Sequence, residues 1–149
     1  MKHADIFITH NITDPCRKVG QAAYVYVIYA DTTRGAATCG EFGRGQDVTV
    51  NRINLLALRS ALRHFPNPTE ITIYTDSSTV AGAFNCNNIQ QWRKNGFKTA
   101  RKKPLANADL WRSVSDLTQK HLVNAVQTRC HQYTSWAETE LRRKYGKAQ

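Results

Sequence analysis

The most concentrated source of chemistry in this sequence is a run of cations that lies close to two aromatic rings. The run extends from Trp92 to Lys103, contains no acidic residue and has Phe97 near its middle. Its cations are Arg93, Lys94, Lys98, Arg101, Lys102 and Lys103. Basic side chains among aromatic residues are typical of surfaces that bind phosphate backbones, because neutralised phosphates release counterions. The run therefore predicts a nucleic-acid surface, with an inert basic surface as the alternative.

The charge of the whole chain favours the same kind of partner. Its 149 residues include 21 Lys and Arg against 11 Asp and Glu, which gives a formal net charge of +10. A second basic cluster lies near the end of the chain and contains Arg142, Arg143, Lys144 and Lys147. Such an excess of positive charge attracts polyanions over long distances.

Cysteine usage and the first residues bear on compartment. The four cysteines, Cys16, Cys39, Cys86 and Cys130, form no Cys-x-x-Cys pair, so we expect buried reduced thiols rather than a zinc site. The start, residues 1–5, has no apolar signal-peptide core, and no apolar run is long enough to span a bilayer. We therefore expect a cytoplasmic protein without a membrane partner.

The first half of the chain changes from strand to helical patterning. Period-two alternation and β-forming residues predict strands at Asp5–Ile12, Ala22–Ala30 and Ala36–Phe42. A turn at Asp31–Gly35 and a loop at Gly43–Asp47 make an antiparallel meander the natural arrangement. From Asn51 to Phe65 apolar residues recur with helical spacing, and Thr49 is a plausible N-cap.

The second half reads as strands separated by helices. A short buried strand ends just before Asp76, and a last strand lies at Leu122–Thr128. Helices are predicted at Ser77–Phe84, Ile89–Phe97, Asn107–His121 and Thr134–Tyr145. The order βββαβαααβα predicts one α/β domain over residues 1–149.

Three stretches resemble bacterial type I ribonucleases H. They are the run TVNRINLLA at Thr49–Ala57, the run YTDS at Tyr74–Ser77, and the basic segment Trp92–Pro104 with its continuation Asn107–Trp111. The resemblance implies the ribonuclease H-like fold, a mixed five-stranded sheet with three antiparallel and then parallel strands, flanked by helices and carrying a basic protrusion. It also implies a role with RNA/DNA hybrids.

The resemblance further implies a metal site that this chain has largely lost. The family cleaves RNA with two divalent ions held by four carboxylates, since Mg²⁺ requires anionic oxygen ligands. The matching positions here are His10, Asn54, Asp76 and Thr139, so Asp76 is the single retained carboxylate and the only expected metal ligand if there is any. Glu138 and Glu140 flank the fourth position. We therefore expect no ordinary activity and no cofactor, with Mg²⁺ or Mn²⁺ needed only if a rearranged site is active.

The sequence allows several interpretations of two histidines. By position, His131 matches the family's histidine before the last helix, which is thought to assist proton movement or product release. His10 is a relic, a hydrogen-bonded polar core residue, a base, or a ligand for Zn²⁺ or Mn²⁺ together with Asp76 and His131. Asp76 itself has a structural interpretation, because a carboxylate before a helix N-terminus is stabilised there.

The positions that bind nucleic acid in the family are better preserved. Thr49 matches a residue that grips a DNA phosphate, and Asn51 matches one of two asparagines that read the RNA minor groove. In the protrusion, the residues that match contacts to the DNA strand are Trp92, Lys94, Phe97 and Lys98. Three hypotheses follow: a catalytically inactive binder of RNA/DNA hybrid or double-stranded RNA, which could have a protein partner; an active nuclease with a rearranged site; and a scaffold for an acidic protein.

Overall fold

The computed structural model describes residues 2–32 and 34–149, and within them ten elements follow the predicted order. The predicted turn at Asp31–Gly35 lies only partly within the described residues. The elements are β1 (Lys2–His10), β2 (Val19–Thr32), β3 (Gly35–Val48), α1 (Val50–Leu62), β4 (Thr69–Thr75), α2 (Ser78–Asn85), α3 (Asn88–Lys94), α4 (Ala108–Thr118), β5 (Leu122–Gln127) and α5 (Thr134–Tyr145).

The strands form one mixed sheet in the order β3-β2-β1-β4-β5. Strand β2 pairs antiparallel with β1 and β3, while β1 with β4 and β4 with β5 pair in parallel. The predicted fold, with a meander followed by parallel strands, is confirmed. Because β1 and β4 run in the same direction, their carboxyl ends lie side by side, and His10 comes near Asp76.

Helices cover both faces of the sheet. On one face, α1 and α4 pack through fully buried side chains such as Leu55, Leu58 and Leu110. Trp111 is 2% exposed in this cluster, as its apolar position predicted. On the other face, Ala137 and Leu141 of α5 pack against β2. The face that a side chain occupies on each strand therefore decides which helix it meets.

Strand β3 continues through Gly43–Asp47, where the sequence predicted a loop. Gly43 pairs with Tyr24 and Gly45 pairs with Ala22. A Cβ atom on Gly43 would overlap the Tyr24 ring, and one on Gly45 would lie 2.8 Å from the Val48 side chain. These glycines therefore give neighbouring side chains room within a strand, although Gly-rich runs are typical of loops.

Other boundaries move by a few residues. Strand β1 ends at His10 rather than Ile12, because the Ile12 N–H donates to His10 Nδ1 at 3.1 Å instead of pairing with a strand. Helix α3 ends at Lys94 rather than Phe97, since Gly96 and Phe97 have left-handed backbone angles, φ 69° and 59°. Helix α1 ends at Leu62, before Phe65, and α4 spans Ala108–Thr118.

All four cysteines are exposed and unpaired, so the prediction of buried thiols was wrong. Polar and apolar residues are mixed in the sequence around each cysteine, so the spacing of the cysteines did not indicate their exposure. Among the described helices, none combines the length and the apolar character that crossing a membrane requires.

Candidate cleft and nucleic-acid interface

Three of the predicted site residues meet at the carboxyl ends of β1 and β4. His10 is the last residue of β1, Asp76 follows β4, and Asn54 lies in α1. His10 Nε2 donates to Asp76 Oδ2 at 2.7 Å, and Asn54 Nδ2 donates to Asp76 Oδ1 at 2.9 Å. Both oxygens of Asp76 therefore accept hydrogen bonds from the two side chains that the sequence matched to carboxylate positions of the family.

The two replacing side chains have further partners that fix their orientation. Asn54 is fully buried; its Nδ2 also donates to the Val50 carbonyl at 2.9 Å, and its Oδ1 accepts from Thr75 Oγ1 at 2.7 Å. His10 Nδ1 accepts the Ile12 N–H at 3.1 Å, which leaves Nε2 as the nitrogen that faces Asp76 and donates to it. The cluster is thus satisfied in hydrogen bonds by the chain itself.

The charge of Asp76 is stabilised by these neighbours. Burial raises the pKa of the Asp76 carboxyl, but hydrogen bonds from His10 and Asn54 and the nearby Arg129 more than offset burial. The net result is a pKa below the ordinary value, so Asp76 is charged at neutral pH.

The residues present do not fit a pair of divalent ions. Two Mg²⁺ ions need several anionic oxygens, whereas His10 and Asn54 direct N–H groups at the one carboxylate between them. Within residues 2–32 and 34–149, no three His, Cys, Asp or Glu side chains are grouped so that they could hold a metal ion. The zinc or manganese site of His10, Asp76 and His131 considered from the sequence is therefore wrong.

A cleft of about 240 Å³ opens beside this cluster, and it contains one further acid. It is lined by His10, Asp76, Arg129 and Glu138, among others. Glu140 instead pairs with Arg143, and Thr139 Oγ1 donates to the Ser135 carbonyl at 2.9 Å. The orientation of α5 about its axis therefore turns Glu138 toward the cleft. The sequence alone did not decide between Glu138 and Glu140. Arg129 was missed, because nothing in its local pattern distinguishes it from other surface cations.

His131 does not line the cleft itself, although it contacts Ile8 and Thr9, which do. Its Nδ1 accepts the Tyr133 N–H at 3.2 Å, its Nε2 donates to the Ile8 carbonyl at 3.2 Å, and its ring lies 5.2 Å from that of Phe7. Burial lowers its pKa despite the opposing effects of that carbonyl and of Glu138. These contacts place His131 as a bridge between β1 and the start of α5.

The start of α1 carries the two residues matched to phosphate and minor-groove contacts. Thr49 is exposed, and its Oγ1 caps the helix by accepting the Arg52 N–H at 3.2 Å, as the sequence predicted. Asn51 Oδ1 accepts from Ser77 Oγ at 2.6 Å, which links α1 to the start of α2. Arg52 makes two hydrogen bonds to Asp109, so α1 is also tied to α4.

The basic protrusion consists of α3 and the loop that leads to α4, residues 88–107. Backbone hydrogen bonds between Thr99 and Lys103 close its tip. Arg93 pairs with Asp116 at 2.7 Å. In the part of the chain that the structure describes, the remaining exposed cations have no acidic partner within ion-pair distance: Lys94, Lys98, Arg101, Lys102 and Lys103.

The two aromatic residues of the protrusion pack mainly against other side chains of the protein. Phe97 is only 6% exposed, with the Arg112 guanidinium 5.4 Å from its ring centroid. Trp92 is half-buried and packs 4.9 Å from the ring of Trp111. The structure therefore corrects the expectation for Phe97, whose ring is turned into the core and is not offered to a nucleic-acid strand.

The family model and the similar proteins both match this chain to ribonuclease H. A family model described as RNase H matches residues 12–139. A ribonuclease H of Rhizobium johnstonii is 37% identical over 123 residues, covering 83% of this chain and 76% of the relative. A ribonuclease H of Chlorobium luteolum is 34% identical over 105 residues, covering 70% and 68%. One from Brucella anthropi is 42% identical over 82 residues, and the matched part spans 55% of this chain and 53% of the relative.

Solved structures share the fold at low identity. The crystal structure of a type 1 RNase H with the type 2 active-site motif has a TM-score of 0.71 at 16% identity, covering 99% of this chain and 77% of that one. The RNase H domain of prototype foamy virus, solved in solution, has a TM-score of 0.62 at 17% identity, covering 95% and 90%. A foamy viral protease-reverse transcriptase in complex with RNA/DNA hybrid has a TM-score of 0.63 at 21% identity, covering 95% and 19%.

Proposed function

This chain belongs to the RNase H family, and we propose that it binds RNA/DNA hybrid or double-stranded RNA without hydrolysing either strand. The observation that carries the proposal is the pair of hydrogen bonds to Asp76, in which His10 and Asn54 stand where the family has carboxylates. A role that involves nucleic acid follows from the family.

The lack of hydrolysis is argued from charge. Two-metal cleavage needs ions that activate a water molecule and stabilise the leaving oxygen, and those ions need anionic ligands. The imidazole of His10 and the amide of Asn54 supply no anionic oxygen, and their N–H groups already donate to the carboxylate of Asp76. A metal ion that entered would have to displace these hydrogen bonds. The His10 side chain, which donates one of them, is only 6% exposed.

Binding is argued from the surfaces around the cleft. The protrusion presents five exposed cations without acidic partners in the described residues, and Thr49 and Asn51 lie at the start of α1. Phosphate contacts of this kind supply most of the affinity for duplexes irrespective of sequence. Since the cleft has lost most of its negative charge, phosphates approach it without a neutralising ion. Binding is therefore expected to be independent of divalent metal.

The test uses a hybrid with fluorescent labels on its RNA strand, incubated with the protein in Mg²⁺, in Mn²⁺ and in EDTA. We expect an equal mobility shift in all three conditions and intact RNA in each. A variant with Lys98→Ala and Lys102→Ala should weaken the shift, because both cations are exposed in the protrusion. A shift that requires Mg²⁺, or RNA cleavage that Asp76→Asn abolishes, would contradict the proposal.

A second candidate is a nuclease with a rearranged site. It is favoured by Glu138, which lines the same cleft as Asp76 and Arg129, and the relatives carry the name ribonuclease H. In that case Glu138→Gln should abolish cleavage, as should Asp76→Asn. The matched control is Glu140→Gln, two residues away on α5, whose carboxylate is already paired with Arg143. Cleavage that survives both Glu138→Gln and Asp76→Asn would exclude this candidate.

A further inference from the structure

A row of aromatic rings lies on the face of the sheet covered by α5, away from the protrusion. Trp136 of α5 is 47% exposed, and its ring centroid lies 6.0 Å from that of Phe42 in β3. Phe42 in turn lies 6.4 Å from Tyr145 at the end of α5. A large aromatic ring left exposed on the surface frequently marks an interaction site when neighbouring groups suit a ligand.

Cations flank these rings, and they include part of the second basic cluster. Lys144 Nζ lies 4.2 Å from the Phe42 ring centroid, and the Arg44 guanidinium lies 5.4 Å from that of Tyr145. A cleft of about 160 Å³ is lined by Arg44, Lys144 and Lys147, and also by Gln149, the last residue of the sequence. Cations held against aromatic faces keep a defined position, which favours binding of an anionic chain beside them.

Two acidic residues near this row form their ion pairs with other residues than Arg44 and Lys144. Glu140, one turn after Trp136 on α5, is paired with Arg143. Glu41 precedes Phe42 in β3, so its side chain lies on the opposite face of the sheet, where it contacts His64 at 3.3 Å. The face around Phe42 and Trp136 is therefore positively charged as well as aromatic.

A groove beside Trp136 has room for a planar ring. It measures about 460 Å³, and its lining residues include Thr38, Gly40, Phe42 and Trp136. Gly40 pairs with Val27, and a Cβ atom at this position would lie 2.8 Å from the Tyr26 carbonyl oxygen, so a side chain here would require the strand to shift. The volume lies within the range of small-molecule sites. The exposed indole forms one wall on which a flat ligand can stack.

We propose that this face is a second binding surface, for single-stranded nucleic acid, in which a base stacks on Trp136 and the backbone phosphates lie along Lys144, Arg44 and Lys147. Stacking platforms beside basic grooves bind single strands with little sequence preference, because each base has an aromatic face. A duplex keeps its bases paired and could use only the cations, and an apolar protein segment would leave those cations without partners. The inference rests on the proposed nucleic-acid function for its context, while its site uses different residues.

The test compares two ligands on the same set of variants. A labelled oligothymidylate of about 15 nucleotides reports on the single-strand surface, and the labelled RNA/DNA hybrid reports on the protrusion. Trp136→Ala should weaken oligothymidylate binding about tenfold, from the usual contribution of one stacked base, and change hybrid binding less than twofold. Lys144→Glu should act in the same direction. Trp136→Phe should retain most of the affinity. The Lys98→Ala and Lys102→Ala variant should show the opposite pattern.

The matched control is a variant at another exposed apolar residue. Leu122→Ala removes another exposed apolar side chain, 63% exposed on β5, and should change neither affinity. Oligothymidylate binding that is unchanged in Trp136→Ala and Lys144→Glu would overturn the inference, as would equal competition by a DNA duplex. Equal loss of both ligands in Lys144→Glu would mean one shared site and would also overturn it. If the hybrid fails to bind the wild type while Trp136 and Lys144 control oligothymidylate affinity, the proposed function fails and this surface stands.

Discussion

Both oxygens of Asp76 accept hydrogen bonds, one from the imidazole of His10 and one from the amide of Asn54, so within this chain the carboxylate acts as the acceptor at the centre of a polar cluster. Several carboxylates in one cleft repel each other until cations bind. An imidazole and an amide that donate hydrogen bonds to a carboxylate attract it instead, as His10 and Asn54 do here. The cluster at His10, Asn54 and Asp76 therefore links β1, α1 and β4 without the help of an ion.

At the residue scale, His10→Ala should destabilise the chain and raise the pKa of Asp76. Burial would still raise that pKa, while the 2.7 Å hydrogen bond that lowers it would be lost. A depressed carboxyl pKa contributes stability that is present above the unfolded pKa and is lost as pH falls through the folded pKa. We expect a loss of about 1–3 kcal/mol at neutral pH. Urea unfolding should show the loss shrinking as pH falls below the ordinary carboxyl pKa, where Asp76 becomes protonated.

The control for His10→Ala is His3→Ala, which removes a histidine that contacts Asp5 at 3.0 Å on the surface, with its side chain 43% exposed. Exposed pairs of this kind contribute little, so the free energy of unfolding should change by less than about 0.5 kcal/mol. Equal effects of the two variants would mean that the buried cluster is not an important source of stability.

At the element scale, Gly96 and Gly82 differ in one respect that a substitution can isolate. A Cβ atom at either position would have no other heavy atom within 4 Å. Gly96 has a φ of 69° at the end of α3, whereas Gly82 lies inside α2. Gly96→Ala should therefore cost about 1 kcal/mol of stability through backbone strain, and Gly82→Ala should add about 0.5–1 kcal/mol.

Thermal unfolding of the two glycine variants checks these opposite signs, and hybrid affinity is measured alongside. Gly96→Ala should also weaken hybrid binding, because Gly96 sets the path from α3 into the protrusion loop. Gly82→Ala should leave affinity unchanged. A Gly96→Ala variant as stable as the wild type would show that the loop adopts another path without cost.

The sequence predicted the order and type of the elements because their patterning is strong. Its errors lie where one residue serves an unusual purpose, as at Gly43, which makes room for the Tyr24 ring inside a strand. Likewise, the resemblance to ribonucleases H predicted that His10, Asn54 and Asp76 belong to one site. It could not tell Glu138 from Glu140, since the rotation of α5 is set by Ala137 and Leu141 packing on β2. Burial of Phe97 depends on backbone angles that no periodicity reveals.

At the scale of the whole molecule, the net charge is +10, and two basic surfaces lie on opposite faces of the sheet. One is the protrusion beside α4, and the other is the aromatic row beside α5. Hybrid affinity should fall steeply with salt, because each phosphate contact releases about 0.9 counterion from a duplex. A chain that binds nucleic acid at both proposed surfaces would hold two segments at once.

Lys102→Ala should reduce the slope of log affinity against log salt by about 1 if this lysine contacts a phosphate of the hybrid. The comparison variant is Arg63→Ala, which removes an exposed cation at the C-cap of α1, away from the protrusion. That change should leave the slope as it is in the wild type. Equal slopes for the two variants in a salt titration would show that the hybrid does not depend on the protrusion tip.

The four exposed thiols have a consequence for the state of the purified chain. Surface thiols of separate molecules can oxidise to intermolecular disulfides when no reductant is present. Burial and the nearby Glu41 raise the pKa of the Cys39 thiol, so less of it is thiolate and it reacts more slowly. Oxidation would join copies into covalent dimers, whose several linked surfaces would bind a long nucleic acid with an avidity that no single molecule has.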